Sequence, residues 1–212
     1  MKIAVELNNI IRDYNTQLIK YYIKGCDPNF DDETVDLGSS DILPQLPFPS
    51  NKDRKIFKEI DYPYELFGCA KTMHKHLHVD VSKWLENNEN DEIIYFSLGE
   101  SNLNIQSTYF FLSKGSRVRT MLFPKKPQDI WKHCDVAVTL NKNVLKTKPL
   151  DKISILIRKS DNKKLEKYAN LVYDSFDDIL KDENFKEKIE NKNTNEKKKN
   201  NLFNKMVAWM KK

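Results

Sequence analysis

The sequence predicts an α/β fold with a mostly parallel sheet, and three observations predict it. Short, continuous apolar runs recur at Ile3–Leu7, Ile93–Leu98, Val118–Phe123, Val136–Leu140, Ile153–Ile157 and Leu171–Tyr173. Runs of this length without alternation suit strands covered on both faces, as in parallel sheets. Segments of helical spacing lie between them, and the first run leads directly into a helix signal, so a β-then-α unit opens the chain.

Taken in order, the first strand is followed by Asp13, a residue type that caps helix N-termini, and then by Leu18, Ile19, Tyr22 and Ile23 on one stripe. From Gly25 to Asp61 the rhythm breaks, with Pro28, Pro44, Pro47 and Pro49, and the segment reads as a long irregular excursion. Between Tyr64 and Leu85, the positions Leu66, Phe67, Ala70, Met73, Leu77, Val81 and Trp84 recur at helical spacing and predict two short helices over the sheet or an adjoining face. Residues 25–85 therefore read as an irregular and helical insert in a domain spanning 1–180. Residues 181–201 are almost entirely Lys, Asn, Glu and Asp, with Phe185 and Ile189 the large apolar exceptions, and predict a polar mobile linker or frayed helix outside the core. Residues 202–212 follow as an amphipathic tail helix whose apolar stripe is Leu202, Phe203, Met206, Val207, Trp209 and Met210. A helix this short needs a surface to bury that stripe, on its own domain or on a neighbouring subunit.

Composition excludes several classes. The longest apolar stretches are far shorter than the ~20 residues of a spanning helix, so no membrane partner is expected. The opening MKIAVELNN reaches Glu6 before any apolar leader develops, which predicts synthesis in the cytoplasm without a secretory signal. Cys26, Cys69 and Cys134 are odd in number and contain no CxxC pair, so they predict buried thiols and no disulfide or zinc framework. With five glycines the chain has neither GxGxxG nor a P-loop. The net charge of +5 comes from 36 basic residues interspersed with 31 acidic ones, and the pieces KGSRVR and FPKKP read as a solvated rim. Sequence-specific nucleic-acid binding is not expected.

Two further clusters have the residue types of a site. His74 and His78 stand at metal-ligand spacing with Asp80 nearby, but no further ligand pattern completes a shell, so they read as a helix face and no metal is assigned. Cys134 lies between His133 and Asp135, but neighbours on an extended chain point to opposite faces, so it reads as a buried cysteine.

The stretch KIAVELNNIIRDYN resembles the opening motif of the haloacid dehalogenase (HAD) superfamily, in which a buried strand delivers an aspartate nucleophile and, two residues later, an aspartate acid/base. Here those positions are Glu6 and Asn8. Glutamate's extra methylene displaces the attacking oxygen by about 1 Å, an error that positional catalysis does not forgive. Asparagine cannot donate and recover a proton. IIYFSLGESN resembles the second motif, with Ser97 at the position of the hydroxyl that binds a phosphoryl oxygen. DIWKHCDVAVTLNKNVLKTKP resembles the final acidic motif, but Asp135 precedes the strand, and Thr139, Leu140 and Asn141 occupy the end where carboxylates would hold magnesium.

The resemblance implies a Rossmann-like three-layer sandwich with a mostly parallel sheet, the 25–85 insert standing where a cap would be. Glu6, Asn8, Ser97 and Asp135 are then relic positions of a pseudoenzyme that needs no cofactor. KIAVELNNIIRDYN, FFLSKGS and WKHCDVAVTLNKNVLKTKP are also similar to HAD-like proteins of crAss-like bacteriophages. That similarity implies a non-catalytic virion protein, a homo-oligomeric ring component of the portal–tail connector or neck that meets portal, tail or neck subunits. The alternative is a magnesium-dependent phosphohydrolase acting on a nucleotide or other small phosphate ester. A third reading is a regulatory protein that binds a nucleotide in the relic cleft.

Overall fold

The computed structural model describes residues 1–118, 120–192 and 194. Six strands, β1 (Lys2–Glu6), β2 (Glu92–Phe96), β3 (Met121–Leu122), β4 (Val136–Thr139), β5 (Ile153–Ile157) and β6 (Leu171–Tyr173), form one sheet in the order β3-β2-β1-β4-β5-β6. Every pairing is parallel. The fold is α/β and Rossmann-like, as expected. All six apolar runs became strands, and the largest difference is β3, a two-residue edge strand where six residues were expected.

Alternation along the central strands builds the two interfaces of the sandwich. Ile3, Val5, Ile93, Tyr95, Val136, Val138, Ile153 and Ile155 face one layer, which contains α3 (Leu77–Asn87), the inner side of α4 (Asn102–Ser113) and α6 (Phe176–Lys181). Ala4, Phe96 and Ala137 face the other, where Ile130 and Trp131 of a 3-10 turn and Val144 of α5 (Lys142–Lys146) pack. The small Ala4 and Ala137 let that second layer approach closely.

Helix α1 (Tyr14–Gly25) starts as predicted, with the Asp13 side chain accepting from Thr16 N–H. It does not cover the sheet. Its buried face, Tyr14, Leu18, Ile19 and Tyr22, packs against Val35, Ile42, Leu46, Phe57, Leu66 and Phe67 in a separate cluster. Packing therefore places α1 with the insert, whereas α3, read from sequence as part of residues 25–85, packs on the sheet through Leu77 and Val81. The 25–61 excursion is less irregular than expected: it contains α2 (Asn51–Ile56), capped by Ser50, which runs into a π-helical turn at Phe57–Asp61.

Two expectations are corrected. Phe185 and Ile189, placed in a linker outside the core, are 1% and 3% exposed and belong to the main core, with Phe185 ring-packed against Trp84 and Tyr173. These two apolar residues four apart, with Lys186 paired to Asp91 at 2.8 Å, seat the helical stretch 185–192 on the sandwich despite its polar composition. Of the three free thiols, Cys134 is buried as predicted, but Cys69 is only half-buried and Cys26 is exposed, because α1 ends at that position on the surface. Burial pushes the Cys134 thiol up to about 12. The proposed docking stripe Leu202, Phe203, Met206, Val207, Trp209 and Met210 lies outside the described residues. Among the described residues no helix is long and apolar enough to cross a membrane.

Candidate functional site

Strand order reverses between β1 and β4, so the crevice beyond their carboxyl ends is the topological switch point where ligands of such sheets bind. A cavity of about 220 Å³ sits there, floored by Glu6, Asn8, Leu140 and Asn141 and roofed by Ser40, Asp41, Leu43 and Lys58 of the insert. The roof is tied down on both sides. Asn9, the one non-glycine residue with positive φ among those described, donates from Nδ2 to Ser40 O at 3.0 Å and to Asn15 Oδ1 at 2.9 Å. Asn15 N–H returns a bond to Asn9 Oδ1, and its Nδ2 holds Ser39 O at 2.8 Å. Asparagine tolerates the left-handed conformation because its side chain can satisfy the backbone locally, as it does here. From the other side, Asp161 accepts from the backbone N–H and hydroxyl of Ser40.

Glu6 ends β1. Its Oε2 accepts from the Thr139 hydroxyl and from Leu140 N–H at 2.8 Å, both at the end of β4. Burial raises the carboxyl above its ordinary value, and the Thr139 and Leu140 hydrogen bonds oppose that shift. Asn8 is fixed by Arg12, whose Nε donates to Asn8 Oδ1 at 2.9 Å and whose Nη2 donates to the same oxygen. Arg12 is fully buried, gives Nη1 to Phe67 O at 2.7 Å and to Thr108 Oγ1 at 2.9 Å, and lies over the Phe67 ring. Burial lowers its pKa to about 10, so it stays charged at neutral pH. Among the described residues no carboxylate forms an ion pair with it.

Ser97, at the end of β2, points its hydroxyl at Glu100 Oε1 at 2.6 Å, and Glu100 Oε2 accepts from Asn104 Nδ2 at 3.0 Å. Glu6, Asn8 and Ser97 are thus gathered at one end of the sheet, as the motif order suggested. Asp135 is not with them. It stands at the amino end of β4, where it accepts from Lys2 N–H at 2.8 Å and pairs with Lys152 at 3.3 Å. An aspartate preceding a parallel strand cannot reach the carboxyl end, and its role is to hold adjacent strand ends together.

The cavity lining contains the carboxylates of Glu6, Asp41 and Glu100 against the ammonium of Lys58. The ligand atoms of these three acids do not gather within 4.8 Å of one another, the spacing a shared ion requires. A phosphoryl group in this cavity would face predominantly negative walls. Arg12, Asp41 and Glu100 were missed from the sequence. Arg12 carried a signal, a cation set between Ile11 and Asp13 four residues after Asn8, whereas Asp41 lies in an excursion without periodicity. No family model and no curated protein matches the chain.

Proposed function

We propose that the chain is a non-catalytic assembly protein on a degenerate HAD-like domain, a ring-forming component of a bacteriophage portal–tail connector. The observation that carries the non-catalytic part is the employment of both motif side chains in internal bonds. Glu6 is held by Thr139 and Leu140, and Asn8 by the buried Arg12. A nucleophile must be free to attack and an acid/base free to exchange a proton, and these groups brace β1 against β4 and the insert instead.

Assembly is supported by α4, which buries Phe111 and Leu112 against the sheet and leaves a second apolar face outside. It buries Asn104, Ser107 and Thr108, while Leu103, Tyr109 and Phe110 are 48%, 51% and 41% exposed. Tyr64 of the insert lies against Phe110 with ring centroids 5.0 Å apart and extends this apolar surface. Exposed apolar faces of this kind are covered in subunit contacts. The phage setting rests on the sequence resemblance, and heterologous contacts between identical subunits form a ring when the rotation between them closes.

The test is turnover of a small aryl phosphate with magnesium by the full chain and by Glu6→Gln. No turnover by either protein supports the proposal. Magnesium-dependent turnover that disappears in Glu6→Gln makes the chain a phosphohydrolase.

A further inference from the structure

His74, Asp80 and Asp177 converge from separate parts of the chain: the loop before α3, the first turn of α3, and α6. One ligand atom from each lies within 4.8 Å of the others. The spacing of His74 and His78 suggested a different pair, but α3 begins at Leu77, so His74 precedes the helix and His78 turns to the Phe111 ring, 5.7 Å away. Asp177 supplies what the local sequence lacked.

Two observations point to a cation. His74 Nε2 is shut off from solvent, has no hydrogen-bond partner, and stands 3.4 Å from Asp177 Oδ1. With the imidazole proton on Nδ1, the Nε2 lone pair faces the carboxylate oxygen, and a metal ion between them relieves the repulsion; a proton on Nε2 is the competing arrangement. His74 and Asp177, though not Asp80, also line a cavity of about 40 Å³, above the volume that one water-sized occupant needs.

We propose that His74, Asp80 and Asp177 bind one divalent transition-metal ion of the zinc type, which clasps α3 to α6. One imidazole nitrogen with two carboxylate oxygens is a borderline donor set, suited to zinc with water completing the shell. Magnesium and calcium favour all-oxygen sites and bind here more weakly. Lys181 is the competing cation: its ammonium pairs with Asp177, and its charge also interacts with Asp80. Its side chain is 73% exposed and can swing into water when an ion enters. Lys159 lines the same cavity and, like Lys181, opposes a positive charge there. Because α6 leads into the helical stretch 185–192, a bound ion stiffens the root of that stretch. The inference does not depend on the function proposed above.

The experiment is calorimetric titration of the full chain with zinc at pH 7.5, with melting temperature followed in parallel. One ion per chain and a raised melting temperature are expected, with no comparable shift from magnesium. Asp177→Asn and His74→Gln should each weaken binding by at least about tenfold. Lys181→Ala, a surface change that leaves the fold intact, should tighten it. If the enclosed His74 nitrogen is neutralised by a proton alone, zinc will not bind to either the parent or the Lys181→Ala protein. That result, or zinc binding of parental strength in both ligand variants, overturns the proposal.

Discussion

Asn8 Oδ1 accepts from two nitrogens of the same guanidinium, Nε and Nη2 of Arg12, four residues later and fully buried. Arginine only donates, so this contact fixes which end of the amide faces it. The position where the resembled motif needs a proton-exchanging acid is occupied by a neutral acceptor for a buried cation.

Asn8→Asp would give that cation a charged partner. The variant should be more stable by ~1 kcal/mol, a rise of about 2–4 °C in melting temperature. Arg12→Met leaves Asn8, Phe67 O and Thr108 without their donor and should cost about 3 kcal/mol or more. Thermal denaturation of the two variants checks both signs, and a lower melting temperature for Asn8→Asp would contradict this description of the site.

The Glu6 carboxyl has a folded-state pKa raised above 4.5 by burial. The folded protein therefore holds this proton more tightly than the unfolded chain, and the group's contribution to stability falls as pH rises through 4.5 toward the raised value. Glu6→Gln keeps an oxygen for Thr139 and Leu140 and carries no charge. Its melting temperature should exceed the parent's at pH 7 and approach it below pH 4.5. A parallel offset at both pH values would show that burial does not act on this carboxylate.

The strands were legible because a buried parallel strand leaves an apolar run that its neighbours cannot disguise, as at Ile153–Ile157. The start of α1 was legible because Asp13 caps it through a local bond. Alliances between distant segments were not legible. Nothing in the spacing of Leu18 and Tyr22 says that they meet Phe57 rather than the sheet. Nothing in the sequence around Asp177 says that it meets His74. In the site, Glu6, Asn8 and Ser97 were legible as the strand-end positions of the resembled motifs, and Asp135 as a residue that precedes β4, whereas nothing in the spacing tied Asp41 to the same crevice.

Phe185 measures how far the folded domain extends. A linker residue could be truncated without effect, but this ring is enclosed by Trp84 and Tyr173. Phe185→Ala should cost about 3–5 kcal/mol in chemical denaturation. A loss within ~0.5 kcal/mol would return residues 181–192 to the linker.

Tyr109→Ser and Phe110→Ser remove exposed apolar surface from α4 without touching Asn104 or Thr108 on its buried side. Both variants should stay folded, with the melting temperature lowered only by the lost Tyr109–Phe123 and Phe110–Tyr64 ring contacts, and lose self-association. Loss of folding would mean that these rings support the domain rather than a neighbour.

The mass of the full chain in solution, measured by light scattering alone and after mixing with particle proteins from the same source, tests the assembly reading most directly. The account predicts a multiple of the 25.0 kDa chain or a mixed complex, reduced to the single chain by Phe110→Ser. A parent protein that remains at 25.0 kDa under both conditions would contradict it.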